Sequence, residues 1–201
     1  MPHTIDYYLA ASSPWTYLGH ARLHAIAKEA GAVVRVKPVD LVAQVFPVSG
    51  GLPLPQRAPQ RQAYRLQDLK RFGEALNIPI HIEPKFFPVN ATQASLLIVA
   101  TQLQAGDASA MALTGAVLAA VWAQERNIAD AGQLAALLRD CGLPQSLLAD
   151  SLAPEVQANY QRFTQEALAC GVFGAPSYVV DAELFWGQDR LDFVQRRLAR
   201  N

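Results

Sequence analysis

The order strand, helix, strand at the start of the chain narrows the fold most. Thr4–Leu9 (TIDYYL) and Ala32–Val36 (AVVRV) are short β-rich runs. Between them Leu18, Ala21, Leu23, Ile26 and Ala27 approximate a helical stripe, Pro14 suits the first turn of that helix, and Gly31 suits its stop. A crossover of this kind is right-handed and makes the two strands parallel neighbours. Leu41–Pro59 is too rich in Pro and Gly to be one regular element and reads as a loop over the sheet.

From Gln60 the pattern turns helical, with segments near 60–75, 90–105, 108–126, 130–140, 144–150 and 154–170. The 108–126 segment is apolar on most sides, so Trp122 reads as core. After Gly171 the period changes back. Ser177–Val180 and Glu183–Trp186 flank Asp181 and Ala182 as a hairpin, and Leu191, Val194 and Leu198 mark a last helix. The expected fold is therefore α/β, with βαβ and ββα halves separated by a large all-helical insertion. The halves are residues 1–45 and 172–201, and the insertion, with its loop, is 46–171.

Composition limits the function. The 201 residues are 51% hydrophobic, enough for a sizeable core, and Lys+Arg and Asp+Glu both number 17 without a run of one sign. The basic footprint of a nucleic-acid binder is missing. The start, MPHTIDYYLA, lacks the charged and apolar regions of a signal peptide, and no long uncharged apolar run follows. A cytoplasmic protein without a membrane role is the expectation. Cys141 and Cys170 form no C-x-x-C and read as buried small apolar residues. His3, His20, His24 and His81 form no metal motif; His20 and His24 share a helix face and read as surface residues.

Three segments carry possible chemistry. Ser13-Pro14-Trp15-Thr16 falls where a strand stops and a helix starts, where unpaired N–H groups and the dipole stabilise an anion such as a thiolate. Ser13 is equally a plain N-cap with Pro14 at the first helical position. Gly174-Ala175-Pro176 precedes the SYVV strand, where a cis X-Pro bond would expose backbone to an extended ligand; alone it is a turn. Trp186-Gly187-Gln188-Asp189 opens the final helix, where N–H groups could hold a carboxylate or Asp189 could simply cap.

Together these segments resemble the thioredoxin fold with a helical insertion, as in the disulfide oxidoreductase and kappa-class glutathione transferase group. SPWTYL at 13–18, VFGAPS at 172–177 and LFWGQDRL at 184–191 are similar in particular to the 2-hydroxychromene-2-carboxylate isomerases. VSGGLP at 48–53, RQAYRLQDLKRF at 61–72 and NIPI at 77–80 extend the resemblance. It implies glutathione as cofactor, with Ser13 bonded to the sulfur and Pro14 and Trp15 lining that turn. It also implies that Ala175, before cis-Pro176, pairs with the cysteinyl part, while Trp186, Gly187, Gln188 and Asp189 hold the γ-glutamyl end. Gln188 replaces a common Asn or Ser, and Gly51 stands where kappa transferases often carry Asn, so only its backbone can contribute.

Arg61 and Tyr64 are the candidates for a substrate carboxylate and aromatic ring, and read equally well as exposed helix residues. A hydroxyl at Ser13 rules out a mixed disulfide on this turn, so the thiol must come from a ligand. The implied reaction is glutathione-dependent isomerisation of 2-hydroxychromene-2-carboxylate to trans-o-hydroxybenzylidenepyruvate, by a homodimer, in aromatic breakdown. A kappa-like transferase or peroxidase, and a non-catalytic thioredoxin-like binding module, share the same features.

Overall fold

The computed structural model describes residues 3–200; Met1, Pro2 and Asn201, the ends of the two expected thioredoxin-like segments, lie outside the described residues. Strand β1 (Thr4–Leu9) leads through a tight turn into helix α1 (Pro14–Glu29), which gives way after Gly31, at φ +61°, to strand β2 (Val33–Pro38). A left-handed backbone there suits glycine because no Cβ meets the preceding carbonyl. β2 begins one residue later than its β propensity suggests and runs on to Pro38. The extension comes from pairing, since Lys37 and Pro38 stand opposite Tyr8 and Leu9 of the parallel β1. Near the C-terminus β3 (Ser177–Val180) and β4 (Glu183–Trp186) form the hairpin, its turn residues Asp181 and Ala182 at φ +48° and +65°. Two left-handed residues give a turn whose twist matches the strands. The sheet order is β2-β1-β3-β4, with β3 antiparallel to both its neighbours.

The intervening chain is helical. The 41–59 loop contains short turns of helix, Leu41–Val45, α2 (Phe46–Ser49) and Leu54–Gln56. There follow α3 (Pro59–Leu76), α4 (Thr92–Trp122), α5 (Ala131–Asp140), α6 (Leu147–Asp150), α7 (Pro154–Ala169) and, after β4, α8 (Leu191–Leu198). The expected helices at 90–105 and 108–126 are the two halves of α4, separated at Gly106, whose backbone (φ 81°, ψ 172°) is not helical, and the second half ends at Trp122. The expected helix at 144–150 is regular only from Leu147. By length and composition α4 could cross a membrane, but it packs against β2 and α1, and its Asp107 accepts the Val36 N–H at 3.1 Å.

Alternation in β1 sends Ile5, Tyr7 and Leu9 into the main core and Tyr8 to the opposite face, against Ala167 of α7. Sheet and insertion share that core: Ile5, Val36 and Tyr178 cluster with Leu97, Leu113, Trp122 and Phe163. Three readings of side-chain placement need correction. Cys170 is exposed and Cys141 half-buried, because both sit at helix ends rather than on apolar stripes. His20 is buried, its Nε2 3.0 Å from the Met111 carbonyl and its Nδ1 3.4 Å from the Tyr7 hydroxyl. The face it shares with His24 turns partly inward because Gly115 of α4 leaves room for the ring.

Candidate active site

A cavity of about 1010 Å³ opens where the β1–α1 turn, the 41–59 segment, α3 and the segments around β3 and β4 converge. Ser13 lies at its wall as the N-cap of α1. Its backbone is extended (φ −78°, ψ 126°) and its Oγ accepts the Thr16 N–H at 3.2 Å. That bond uses a lone pair and leaves the hydroxyl proton to donate elsewhere. Pro14 has no N–H, so Trp15 contributes the free N–H of the first turn, beside the positive end of a 16-residue helix. The turn is fixed from two sides: Ser13 N–H donates to the Ala10 carbonyl at 2.9 Å, and the fully buried Trp122 donates its indole N–H to the Ser12 carbonyl at 3.2 Å. Trp122 is thus core, and also braces the site from the insertion.

Ala175 faces the same cavity, and its bond to Pro176 is cis. Among the described residues neither the N–H nor the C=O of Ala175 has a hydrogen-bond partner. Buried backbone groups are almost always paired, so this buried peptide offers a donor and an acceptor to a ligand. Pro176 is set back from the wall, buried, its carbonyl accepting the Gly187 N–H at 2.9 Å. Its place is structural, behind Ala175.

Trp186, Gly187, Gln188 and Asp189 line the cavity next. Trp186 packs on Phe173, ring centroids 4.7 Å apart, and a Cβ at Gly174 would strike its indole. Gly187 has φ +104°, and a Cβ there would press on the Asp189 carboxylate. Gln188 is 2% exposed, and its Oε1 accepts from Arg22 at 3.4 Å, so its amide is already engaged inside the protein. Asp189 is half-exposed and pairs with Arg190 at 2.7 Å. Gly51 lines the opposite side, where a Cβ would fall inside the Phe46 ring; the ring fills the space a longer residue would need.

Arg61 and Tyr64 also line the cavity from α3, both exposed, Tyr64 with the Arg71 guanidinium 5.6 Å from its ring centre. The sequence reading missed Arg65, one turn beyond Arg61, and the rings of Phe46, Phe72 and Phe87. Trp15 meets Phe72 edge-on at 5.9 Å. A signal for Arg65 was present: it stands four residues before Leu69 and eight before Gly73, the buried stripe of α3. An arginine on an apolar stripe is a buried cation.

This arrangement can stabilise an anion at Ser13 and pair an extended chain along Ala175, with aromatic rings beside them. It cannot exchange disulfides by its own turn, since no cysteine lines the cavity. Known proteins agree with the architecture. The DSBA-like thioredoxin domain matches residues 4–199. A 2-hydroxychromene-2-carboxylate isomerase of Pseudomonas sp. (strain C18) is 30% identical over 198 residues, covering 95% of this chain and 88% of that one. Human glutathione S-transferase kappa 1 is 25% identical over 210 residues, covering 98% and 92%. A solved 2-hydroxychromene-2-carboxylate isomerase superposes with a TM-score of 0.83 at 25% identity, covering 98% of this chain and 95% of that one. The chain belongs to the DSBA-like thioredoxin domain family and, within it, to the 2-hydroxychromene-2-carboxylate isomerase family, enzymes of the isomerase class.

Proposed function

We propose that this enzyme is a glutathione-dependent cis–trans isomerase of aromatic conjugated keto acids, with 2-hydroxychromene-2-carboxylate as the substrate type. The observation that carries the reading is a shared wall: the Ser13 hydroxyl at the start of α1 and the unpaired Ala175 peptide line one cavity. A tripeptide thiol fits both features, its extended backbone satisfying Ala175 and its sulfur meeting a donor pair. Bound glutathione supplies a thiol that adds reversibly to a conjugated C=C and is released after rotation about the resulting single bond.

The protein's own groups account for the rest. Ser13 Oγ–H and the Trp15 N–H stabilise negative charge on the bound sulfur, and the α1 dipole adds to them, so the thiol ionises nearer neutral pH. Asp189 and the backbone around Gly187 hold the ammonium end, while Gln188, engaged with Arg22, shapes that subsite from within. Trp15, Phe72 and Phe87 offer faces and edges to the substrate ring. The reading carries with it a cytoplasmic homodimer, which light scattering of the purified protein tests for assembly.

A kappa-like transferase is the second reading, favoured by the kappa 1 relative. Both are separated by following 2-hydroxychromene-2-carboxylate spectrally with substoichiometric glutathione and assaying free thiol afterwards. Isomerisation that requires glutathione and leaves it unconsumed is the expected result. Consumption in step with substrate would favour the transferase, and turnover indifferent to glutathione would defeat both.

A further inference from the structure

We propose that Arg65 is the anion anchor of this cavity and binds the carboxylate of the aromatic substrate through its guanidinium. The inference deepens the isomerase reading and rests on it for the class of ligand. Arg65 is only 9% exposed, yet among the described residues it makes no ion pair and donates no hydrogen bond, and its Nη2 is buried without a partner. A buried cation without a counter-charge is costly, so its presence on the apolar stripe of α3 calls for a ligand. Two rings hold it in place. The guanidinium carbon lies 5.1 Å from the Phe87 ring centre and 5.6 Å from that of Trp122. Such contacts offset part of the desolvation and fix the plane of the guanidinium, leaving its charge beside the cavity for an anionic acceptor.

The field around it points the same way. Arg57, Arg61 and Arg65 line one cavity, and none pairs with a carboxylate among the described residues. The acids on that wall face other partners: Asp40 caps the Ala43 N–H, Asp68 pairs with Arg71, and Asp189 pairs with Arg190 at the subsite for the ammonium end. Burial, and then the like charge of Arg57, push the Arg65 guanidinium down to about 10, so it remains a cation at neutral pH. Arg61 is exposed, where a cation attracts a ligand without fixing it. Specificity for an acid over its neutral analogue therefore belongs to Arg65.

Calorimetry without glutathione tests this with benzylidenepyruvate and its methyl ester, on wild type, Arg65→Met and Arg61→Met. Arg65→Met should weaken binding of the acid about ten- to hundred-fold, the value of a charge-assisted hydrogen bond, and leave the ester nearly unchanged. Arg61→Met should change either affinity less than about threefold. Thermal unfolding of Arg65→Met should come no earlier than wild type, because an unpaired buried charge has been removed. If that variant does not fold, Arg65→Lys takes its place, since a compact ammonium loses the flat packing on Phe87 and Trp122 that fixes the guanidinium and should weaken the acid alone. Equal affinities for the acid in wild type and variant, equal losses for acid and ester, or no saturable binding of the acid by wild type would overturn the proposal. Because no glutathione is present, failure of the glutathione-dependent reading leaves this result standing, and the reverse also holds.

Discussion

On the proposed reading Ser13 performs two tasks with one hydroxyl, and the tasks can be separated. As a cap it accepts the Thr16 N–H, and Ser13→Ala should cost about 0.5–2 kcal/mol of stability. As a donor to a thiolate it is worth roughly 1.5–3 kcal/mol, so the rate at neutral pH should fall about ten- to hundred-fold. Loss of the donor raises the thiol pKa, and the rate should therefore recover in part as pH rises and the thiolate returns. A pH–rate profile with glutathione and a benzylidenepyruvate substrate, with thermal unfolding alongside, reads both effects; superimposable profiles would reduce Ser13 to a cap. Gly51 makes a second prediction at this scale. A side chain there must displace the Phe46 ring, so Gly51→Asn should not create a polar contact but deform the aromatic wall, raising KM for the aromatic substrate at least several-fold. A lowered KM would show that the ring moves freely.

At the scale of elements, the strands and α1 were legible because they carry their own signals: β-rich runs, Pro14 at the start, Gly31 at the stop. What escaped depends on a partner element. Lys37 extends β2 and is buried because Asp6 and Glu166 meet its ammonium at 3.1 and 2.8 Å from β1 and α7. Arg65 was hidden for a similar reason, since only the packing of Phe87 and Trp122 turns its stripe position into a sandwiched cation. Ser13, Ala175 and the 186–189 segment could be singled out because local motifs at element junctions place them. His20 belongs with the hidden group, as α4 must supply both Gly115 and the Met111 carbonyl before the ring is buried. Burial lowers its pKa to about 4, against the Met111 hydrogen bond, which raises it, and with a small lowering from His24. The folded state therefore binds fewer protons than the unfolded one between the ordinary value near 6.5 and about 4. Stability from this group is complete above that window and declines as pH falls through it, by up to about 3 kcal/mol. Urea titrations from pH 7 to 4 should show this decline in wild type and a smaller one in His20→Gln. Parallel curves would mean that another group sets the slope.

For the whole molecule, the insertion and the sheet have no separate interiors. Tyr7, Val36 and Tyr178 from the sheet lie in one cluster with Leu97, Leu113 and Trp122 from α4, and the Trp122 indole bonds the Ser12 carbonyl across 110 residues. Neither part can lose its packing without exposing the other's, although chains of this length often unfold through intermediates. The site inherits that coupling, because the turn carrying Ser13 is held by a residue of the insertion. Thermal unfolding followed by tryptophan fluorescence and by far-UV circular dichroism should therefore coincide. Saturating glutathione should shift both signals together, by about 2.7 kcal/mol at roughly one hundred times its Kd. Trp122→Phe removes the bond to the β1–α1 turn and some buried volume. It should lower stability by about 1–3 kcal/mol while still leaving one transition, and weaken glutathione binding although Trp122 does not line the cavity. Two resolved transitions in wild type, or a Trp122→Phe protein that binds glutathione as wild type does, would show that the helical layer is an independent unit and that the sulfur site is built by the thioredoxin-like half alone.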